Sequence, residues 1–437
     1  MIEPSVAALA CVAGMFVLLA IGVPVAIALG LAGFIGLALI GGWSLALAQL
    51  QAVPFSLASN YAFAVVPTFI LMGNLALNSG MARELYAAAE KWLGHFRGGQ
   101  YLTTIAGSTG FAAASGSTLA NATVFTRLAL PEMMRLGYSK EISSACIAAS
   151  GTLAAMIPPS VAMVVYGIVT EQSIGKLMIA GIVPGIISAL GYCVMVVAMV
   201  HVWPHLAPNK SAPAGWGEAI ASLRGVWAIA LLFLIIMGGI YGGYFSPSAA
   251  GAVGAFGALI ISLMRRRLSW ASLNQALMSA AATSAMIFAI LIGGLIFSRM
   301  LVFSGLVGNI VGIFEDWQMS PLTLIVVLSC FYIVLGCLVD ALSMLLVTLP
   351  FVFPIIKAAG IDPIWFGILV VQFLEIGAIT PPVGLNLFAT VSASDRMVTI
   401  EQVIRGITPF ILLNLLFLAL FIGFPSIVTW LPAKMAM

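Results

Sequence analysis

The sequence predicts an all-α polytopic membrane protein built from two related halves. Three observations predict it. The composition is 62% hydrophobic and 7% charged, with a mean hydropathy of +1.17. Apolar runs of membrane-spanning length follow one another along the chain, and a set of landmark residues recurs at a fixed offset between the halves. So few charges cannot cover a water-soluble surface. A hydrocarbon core about 30 Å thick takes roughly 20 apolar residues per helix, so this length allows about ten crossings and no sizeable soluble domain.

The first residues lack a basic leader and a small-residue cleavage site, and the apolar pattern continues past Pro24, so they read as a retained helix. Breakers then bound crossings over about 5–21, 24–41, 61–80, 141–170, 178–203, 225–243, 248–264, 280–300, 363–394 and 406–432. Stretches 82–97 and 268–278 mix charged with apolar residues and read as amphipathic helices along the interface, suited to connecting arms. Two more stretches, 101–130 and 322–353, are long for one crossing and short for two, and each has a polar centre. A re-entrant helical hairpin fits both, because non-helical backbone at depth is tolerated where protein or a cavity surrounds it. The first tip is Ser115-Gly116-Ser117-Thr118 with Asn121 close behind; the second lies near Asp340, with Ser343 three residues on.

Pro158-Pro159 and Pro381-Pro382 stand 223 positions apart, and the same offset pairs Pro131 with Pro354, Gly137 with Gly360, Ser117 with Asp340 and Pro24 with Pro247. Small gaps add Ser79-Gly80 with Ser304-Gly305 and Pro184 with Pro409, and Gly30, Gly33 and Gly36 with Gly251, Gly254 and Gly257. Five crossings and one hairpin per half force the second copy to enter from the opposite side, so the repeat is expected to be inverted. Charge agrees: Arg83, Lys91 and Arg97 precede the first hairpin, whereas Glu315 and Asp316 precede the second. Arg127, Arg135 and Lys140 after the first hairpin, and Arg265, Arg266 and Arg267 between the halves, mark the cytoplasmic side. The first hairpin is expected to open to the cytoplasm and the second to the outside.

Other function classes find little support. Cys11, Cys146, Cys193, Cys330 and Cys337 lie in apolar runs without metal-ligand spacing and read as small core residues. His95, His201 and His205 sit near helix ends or in a loop, so a His-based metal site is not expected. A net charge of +3, spread between apolar segments, argues against a nucleic-acid partner.

Each half places polar or small residues before a Pro-Pro pair in a long span: Gly151-Thr152 before Pro158-Pro159, and Gly377 to Thr380 before Pro381-Pro382. Two prolines in succession should break the helix near the midplane. Freed carbonyls and Ser or Thr hydroxyls are hard oxygen ligands for a small cation, and half-helix N-termini favour an anion. The plainer reading of each pair is a kink satisfied by neighbouring helices. For the first tip it is a small-residue packing face. Asp340 is a carboxylate deep in an apolar stretch, a position that demands a partner or a water-filled path. Glu375 and Arg299 also lie in apolar runs and could pair with each other or with another subunit; Asn386, four residues after Pro382, could face the same cavity as the breaks.

Pro67-Thr68-Phe69 through Ser79-Gly80, the Ser/Thr tip, Ile157-Pro158-Pro159-Ser160, Asp340 followed by Pro350 and Pro354, and Glu375-Ile376-Gly377 running through Thr380-Pro381-Pro382-Val383-Gly384 into Leu385-Asn386-Leu387-Phe388 together form a pattern. It resembles the large (M) membrane subunit of tripartite ATP-independent periplasmic (TRAP) transporters, over nearly the whole chain. The resemblance implies a protein of the bacterial inner membrane that is no enzyme. It implies sodium-coupled uptake of an organic acid, a periplasmic substrate-binding (P) protein, a small four-helix membrane (Q) subunit, and no cofactor beyond coupling sodium ions. It also implies an elevator, with scaffold helices in 1–60 and 211–278, the first arm, hairpin and broken helix in 61–210, and the second hairpin, broken helix and terminal helix in 279–437. Carried over, cation ligands fall at Ser115, Ser117, Thr118, Gly151, Thr152, Pro158 and Pro159, and at Asp340, Ser343, Gly377, Thr380, Pro381 and Asn386. Substrate would meet Ser117, Asn121, Asp340, Pro382 and Asn386. No four-helix segment precedes the first span, so the small subunit is expected as a separate chain.

The nearest alternative is a stand-alone cation-coupled dicarboxylate or anion symporter. An intramembrane enzyme is disfavoured by the absence of Ser-His, His-Glu or paired-Asp arrangements in facing spans. A passive channel would show flux insensitive to a sodium gradient.

Overall fold

A computed structural model describes residues 3–210, 213–306, 308, 309, 312, 320–337 and 339–435. Among these the chain is helical and contains no strand. That follows from the solvent, because in hydrocarbon each backbone N–H and C=O must be satisfied within its own segment or by a close neighbour.

The first half comprises α1 (Pro4–Ala20), α2 (Val25–Ser59), α3 (Val65–Asn78), α4 (Met81–Leu93), α5 (Gly99–Ser115), α6 (Thr118–Arg135), α7 (Lys140–Met156), α8 (Val161–Val169) and α9 (Ile174–Val202). The second comprises α10 (Trp216–Tyr241), α11 (Pro247–Met264), α12 (Trp270–Phe303), α13 (Pro321–Gly336), α14 (Ala341–Ala358), α15 (Pro363–Ile379), α16 (Leu385–Ala393), α17 (Ile400–Gly423) and α18 (Ser426–Ala433). Among the described residues, 8 helices are long and apolar enough to cross a membrane, and the bent pair α7 and α8 makes a ninth span. Large apolar side chains such as Phe55, Trp216 and Leu234 are exposed, as lipid-facing residues must be.

The repeat is visible element by element. Hairpin α5–α6 matches α13–α14, broken helix α7–α8 matches α15–α16, and α9 matches α17. The matching reaches single caps. Ser117 and Asp340 accept the N–H groups of Ala120 and Ser343 at the starts of α6 and α14, and Ser139 and Asp362 do the same for α7 and α15. Gly137 and Gly360 both take positive φ, as do Gly80 and Gly305. Pro158-Pro159 and Pro381-Pro382 are both cis.

Hydrogen bonds establish the opposite threading. At the start of α7, the Ser139 N–H donates to Leu206 O at 3.1 Å and the Tyr101 hydroxyl donates to the same carbonyl at 2.9 Å. At the far end of α8, the Tyr166 hydroxyl donates to Pro363 O at 2.7 Å. The two hairpin bases therefore sit at opposite ends of one broken span. Basic side chains gather at the first of these ends: Arg97, Arg135 and Lys140 lie beside the α9–α10 connection, and Arg265 and Arg267 both pair with Glu84. Lys176, Lys357 and Lys434 lie at the other end. Glu315 and Asp316, the acidic counterpart expected there, lie outside the described residues.

Several expectations need correction. Residues 42–59 lie outside the expected spans, yet α2 runs on through them after a break at Gly42, where φ is 80°. The separate arm expected at 268–278 is fused with the crossing 280–300 into the single helix α12, because no breaker lies between them. The terminal span is divided, with Phe424 and Pro425 separating α17 from α18. The cysteines are free, but not all are core residues: Cys11 and Cys146 are buried, whereas Cys330 is exposed. Arg299 and Glu375 do not pair. Arg299 donates to the Gln49 side chain, and neither Glu375 oxygen has a hydrogen-bond partner among the described residues.

Candidate functional site

Both hairpin tips converge on one cavity of about 480 Å³. At the first tip α5 ends on Gly116, whose left-handed backbone (φ 59°) reverses the chain; a side chain there would meet Pro159 O at 2.7 Å, so glycine lets the tip rest on the helix break of its own repeat. The second tip rests on its own break in the same way, the Val383 N–H donating to Cys337 O at 3.3 Å. The half-helices then cross between repeats. Helix α8 packs on α14 and α15, and α16 packs on α6 and α7, where the Asn386 amide donates to Ala148 O at 3.2 Å.

Four helices begin at the cavity wall. Thr118, Val161, Ala341 and Leu385, the first residues of α6, α8, α14 and α16, all line it. Their unpaired N–H groups and positive dipole ends make the space favourable to negative charge. Asp340 is the one charged side chain among the described lining residues, and no Lys, Arg or His lines the cavity. Asp340 spends one carboxylate oxygen on its cap to the Ser343 N–H at 3.0 Å.

Six of the residues expected from the sequence as cation or substrate ligands line this space: Ser115, Ser117, Thr118, Asp340, Ser343 and Asn386. The others lie off its wall. Asn121 is fully buried behind the first tip, its amide donating to Ser108 O at 3.1 Å. Gly151 packs on Ala122, and the Thr152 hydroxyl donates to Ala149 O. Pro158 and Pro159 are buried beneath the tip, Gly377 packs on Gly336, and the Thr380 hydroxyl donates to Ile376 O. Pro381 is half-buried and Pro382 is exposed, neither reaching the cavity. Asn121 and Pro382 therefore do not line the cavity in this structure, an orientation that a one-dimensional spacing does not fix. The Ser115 hydroxyl and the carbonyl oxygens of the Asn121 and Asn386 side chains are buried without hydrogen-bond partners among the described residues. Such orphaned oxygens are the donors a small hard cation takes.

The wall opposite the tips was not foreseen. It comes from Asn74 and Gly73 on α3 and from Ser279, Thr283 and Met286 on α12. These segments lie toward the basic end, where Asn74 and Asn78 donate to Ala276 O and Ser272 O at 3.3 and 3.2 Å. Asn74 was the available signal, a polar residue inside an apolar run. Behind the breaks a second buried polar group joins Gln372, Asn414 and Tyr192, with Gln372 donating to Asn414 at 2.9 Å and Asn414 to the Tyr192 hydroxyl at 2.6 Å.

Known proteins place this geometry. The family model of the tripartite ATP-independent periplasmic transporter, DctM component, matches residues 12–427. The C4-dicarboxylate TRAP transporter large permease protein DctM of Pseudomonas aeruginosa is 34% identical over 389 residues, covering 88% of this chain and 89% of that protein. The isethionate TRAP transporter permease protein DctMQ of Oleidesulfovibrio alaskensis is 33% identical over 426 residues, 95% of this chain and 65% of the relative. Among solved structures, the Alcanivorax borkumensis YdaH transporter shares the fold, with a TM-score of 0.61 over 89% of this chain and 90% of that one at 13% identity. With its paired hairpins, broken helices and family match together, the chain belongs to the large permease component of the TRAP transporters, membrane transport proteins rather than enzymes.

Proposed function

We propose that this chain is the permease of a sodium-coupled importer of the bacterial inner membrane that takes a small carboxylate-bearing solute from a periplasmic binding protein and works together with a small four-helix membrane subunit. The observation that carries the reading is the convergence of four helix N-termini, two from each repeat, on a cavity with no basic side chain among its described lining residues. Dipole ends favour an anionic solute there, and the solute would lie between the two tips, near Ser117, Asp340 and Asn386. The P. aeruginosa relative is named for C4-dicarboxylates and the DctMQ relative for isethionate, both anions. The fused relative also supports the small subunit as a partner.

Sodium ions suit the oxygens around each tip and break. In the first repeat these belong to Ser115, Ser117 and Thr118, to the α7 end near Gly151 and Thr152, and to Pro158 and Pro159. In the second they belong to Asp340, Ser343, Gly377, Thr380, Pro381 and Asn386. Binding there would order the tips, and a difference in affinity between filled and empty states is what shifts a conformational equilibrium. The moving body in this reading comprises α5–α8 and α13–α16, sliding on a scaffold from 1–60 and 211–278. The basic end faces the cytoplasm by the positive-inside rule, and the cavity lies beside the segments of α3 and α12 nearer that end, so we read this state as the inward-facing one.

The test is uptake of labelled succinate by proteoliposomes containing this chain and its small subunit, with and without binding protein and with and without a sodium gradient. Uptake that needs both additions is the expected result. Uptake without the binding protein would favour a stand-alone symporter, and flux indifferent to the gradient would favour a passive pathway.

A further inference from the structure

The cavity uses a wall that the repeat should duplicate at the other end of the molecule. Ser79-Gly80 and Ser304-Gly305 are matched, with φ of 76° and 71° at their glycines. Counting back from each pair, Asn74 matches Arg299 and Gly73 matches Ser298. The structure supports this equivalence independently, because each side chain reaches a helix of the other repeat. Asn74 donates to Ala276 O near the start of α12, and Arg299 donates to Gln49 in the part of α2 that follows the Gly42 break.

The two repeats are caught at different stages. Gly73 packs against Ser115 O, so tip one is level with Gly73 and Asn74. Tip two is level instead with Met286, Ile287 and Ile290, which share the cavity wall with Asp340, while Gly294 stands beside Leu346 O further along α14. To reach the arrangement of its mate, tip two must advance along α12 until it faces Ser298 and Arg299, about ten residues or roughly 15 Å at 1.5 Å per residue. Resting on the alternating-access reading above, we propose that Arg299 is the anion-receiving side chain of a second, outward-facing cavity, and that Gln49 holds it in the present state. The wall that releases the solute carries a neutral Asn74; the wall that receives it carries a guanidinium, which pairs with a carboxylate or sulfonate through two parallel hydrogen bonds. Affinity for an anion would then be higher on the receiving side than on the releasing one.

The test uses right-side-out membrane vesicles containing the full chain with its small subunit, its five cysteines replaced and Ser298→Cys introduced. The probes are two impermeant thiol reagents, the anionic sulfonatoethyl and the cationic trimethylammonioethyl methanethiosulfonates. Relative to each reagent's rate with a free thiol, outside modification should favour the anionic reagent about tenfold, and Arg299→Ala should bring this normalised ratio near unity while Arg299→Lys preserves most of it. Gln49→Ala should raise the anionic rate by freeing the guanidinium. Absence of outside modification, or a ratio that Arg299→Ala leaves unchanged, overturns the proposal. Succinate uptake by the same vesicles, with binding protein and a sodium gradient supplied, separates the two readings: an intact reagent preference without sodium-driven uptake refutes the function and leaves the role of Arg299 standing.

Discussion

Ser117 and Asp340 occupy the same place in two copies of one hairpin, and each caps the helix that follows it. A cap is worth about 1 kcal/mol and needs only an acceptor oxygen, which serine supplies as well as aspartate. The negative charge of Asp340 therefore exceeds what capping requires, at a position where charge is costly. Asp340→Ser should keep the tip folded and the complex assembled yet abolish sodium-dependent uptake in proteoliposomes; uptake within twofold of wild type would reduce Asp340 to a cap. Glu375 poses the opposite case. It is fully buried in α15, and neither of its oxygens finds a hydrogen-bond partner among the described residues. An unpaired carboxylate in such a place is prohibitively expensive, so Glu375→Gln should assemble normally, with a melting temperature in detergent within a few degrees of wild type. A large drop would mean that the carboxyl group holds a contact that the amide cannot replace. Asp340 stood out in the sequence because charge is rare in apolar runs, whereas Asn74, Ser279 and Thr283 did not, since single polar residues are unremarkable in a crossing.

Among the elements, the close approaches matter most. Helices α13 and α15 touch through glycines: a side chain on Gly377 would come within 2.7 Å of the Gly336 Cα. Because backbone cannot yield as a flexible side chain does, Gly377→Val should destabilise the second half by about 1–3 kcal/mol or more, seen as an earlier melting transition. An unchanged transition would show that the two helices separate freely. Gly73 stands differently, against the Ser115 carbonyl, where α3, which lies outside the proposed moving body, meets a proposed moving tip. In the elevator reading Gly73→Leu should slow uptake strongly while the complex still assembles, and normal uptake would argue against sliding at this contact. The two hairpins were legible because each pairs an awkward length with a polar centre. Of the two connecting arms, 82–97 was legible and forms α4, whereas 268–278 was not separable, because in α12 no breaker divides it from the crossing; the part of α2 after Gly42 is as apolar as the crossing before it.

For the whole molecule, opposite threading is the property on which everything else depends. It places Lys210 at the basic end and Tyr244, in the connection between α10 and α11, at the other. Cysteine at position 244 should react with an impermeant thiol reagent added outside intact cells, and cysteine at 210 only after the membrane is opened; the reverse pattern would invert the cytoplasmic assignment. Composition, hydrophobic runs and the 223-position offset were enough by themselves to determine a membrane-embedded, doubled, oppositely threaded chain with two polar tips and two Pro-Pro breaks, because lipid imposes length and polarity rules that act on short stretches. Only the tertiary structure decided which of those polar residues share a cavity. Asn386 reaches it and Asn121 does not, four helix N-termini meet there, and α3 and α12 supply the opposing wall. These are contacts between residues tens to hundreds of positions apart, and their direction depends on how helices rotate against one another, which local pattern does not encode.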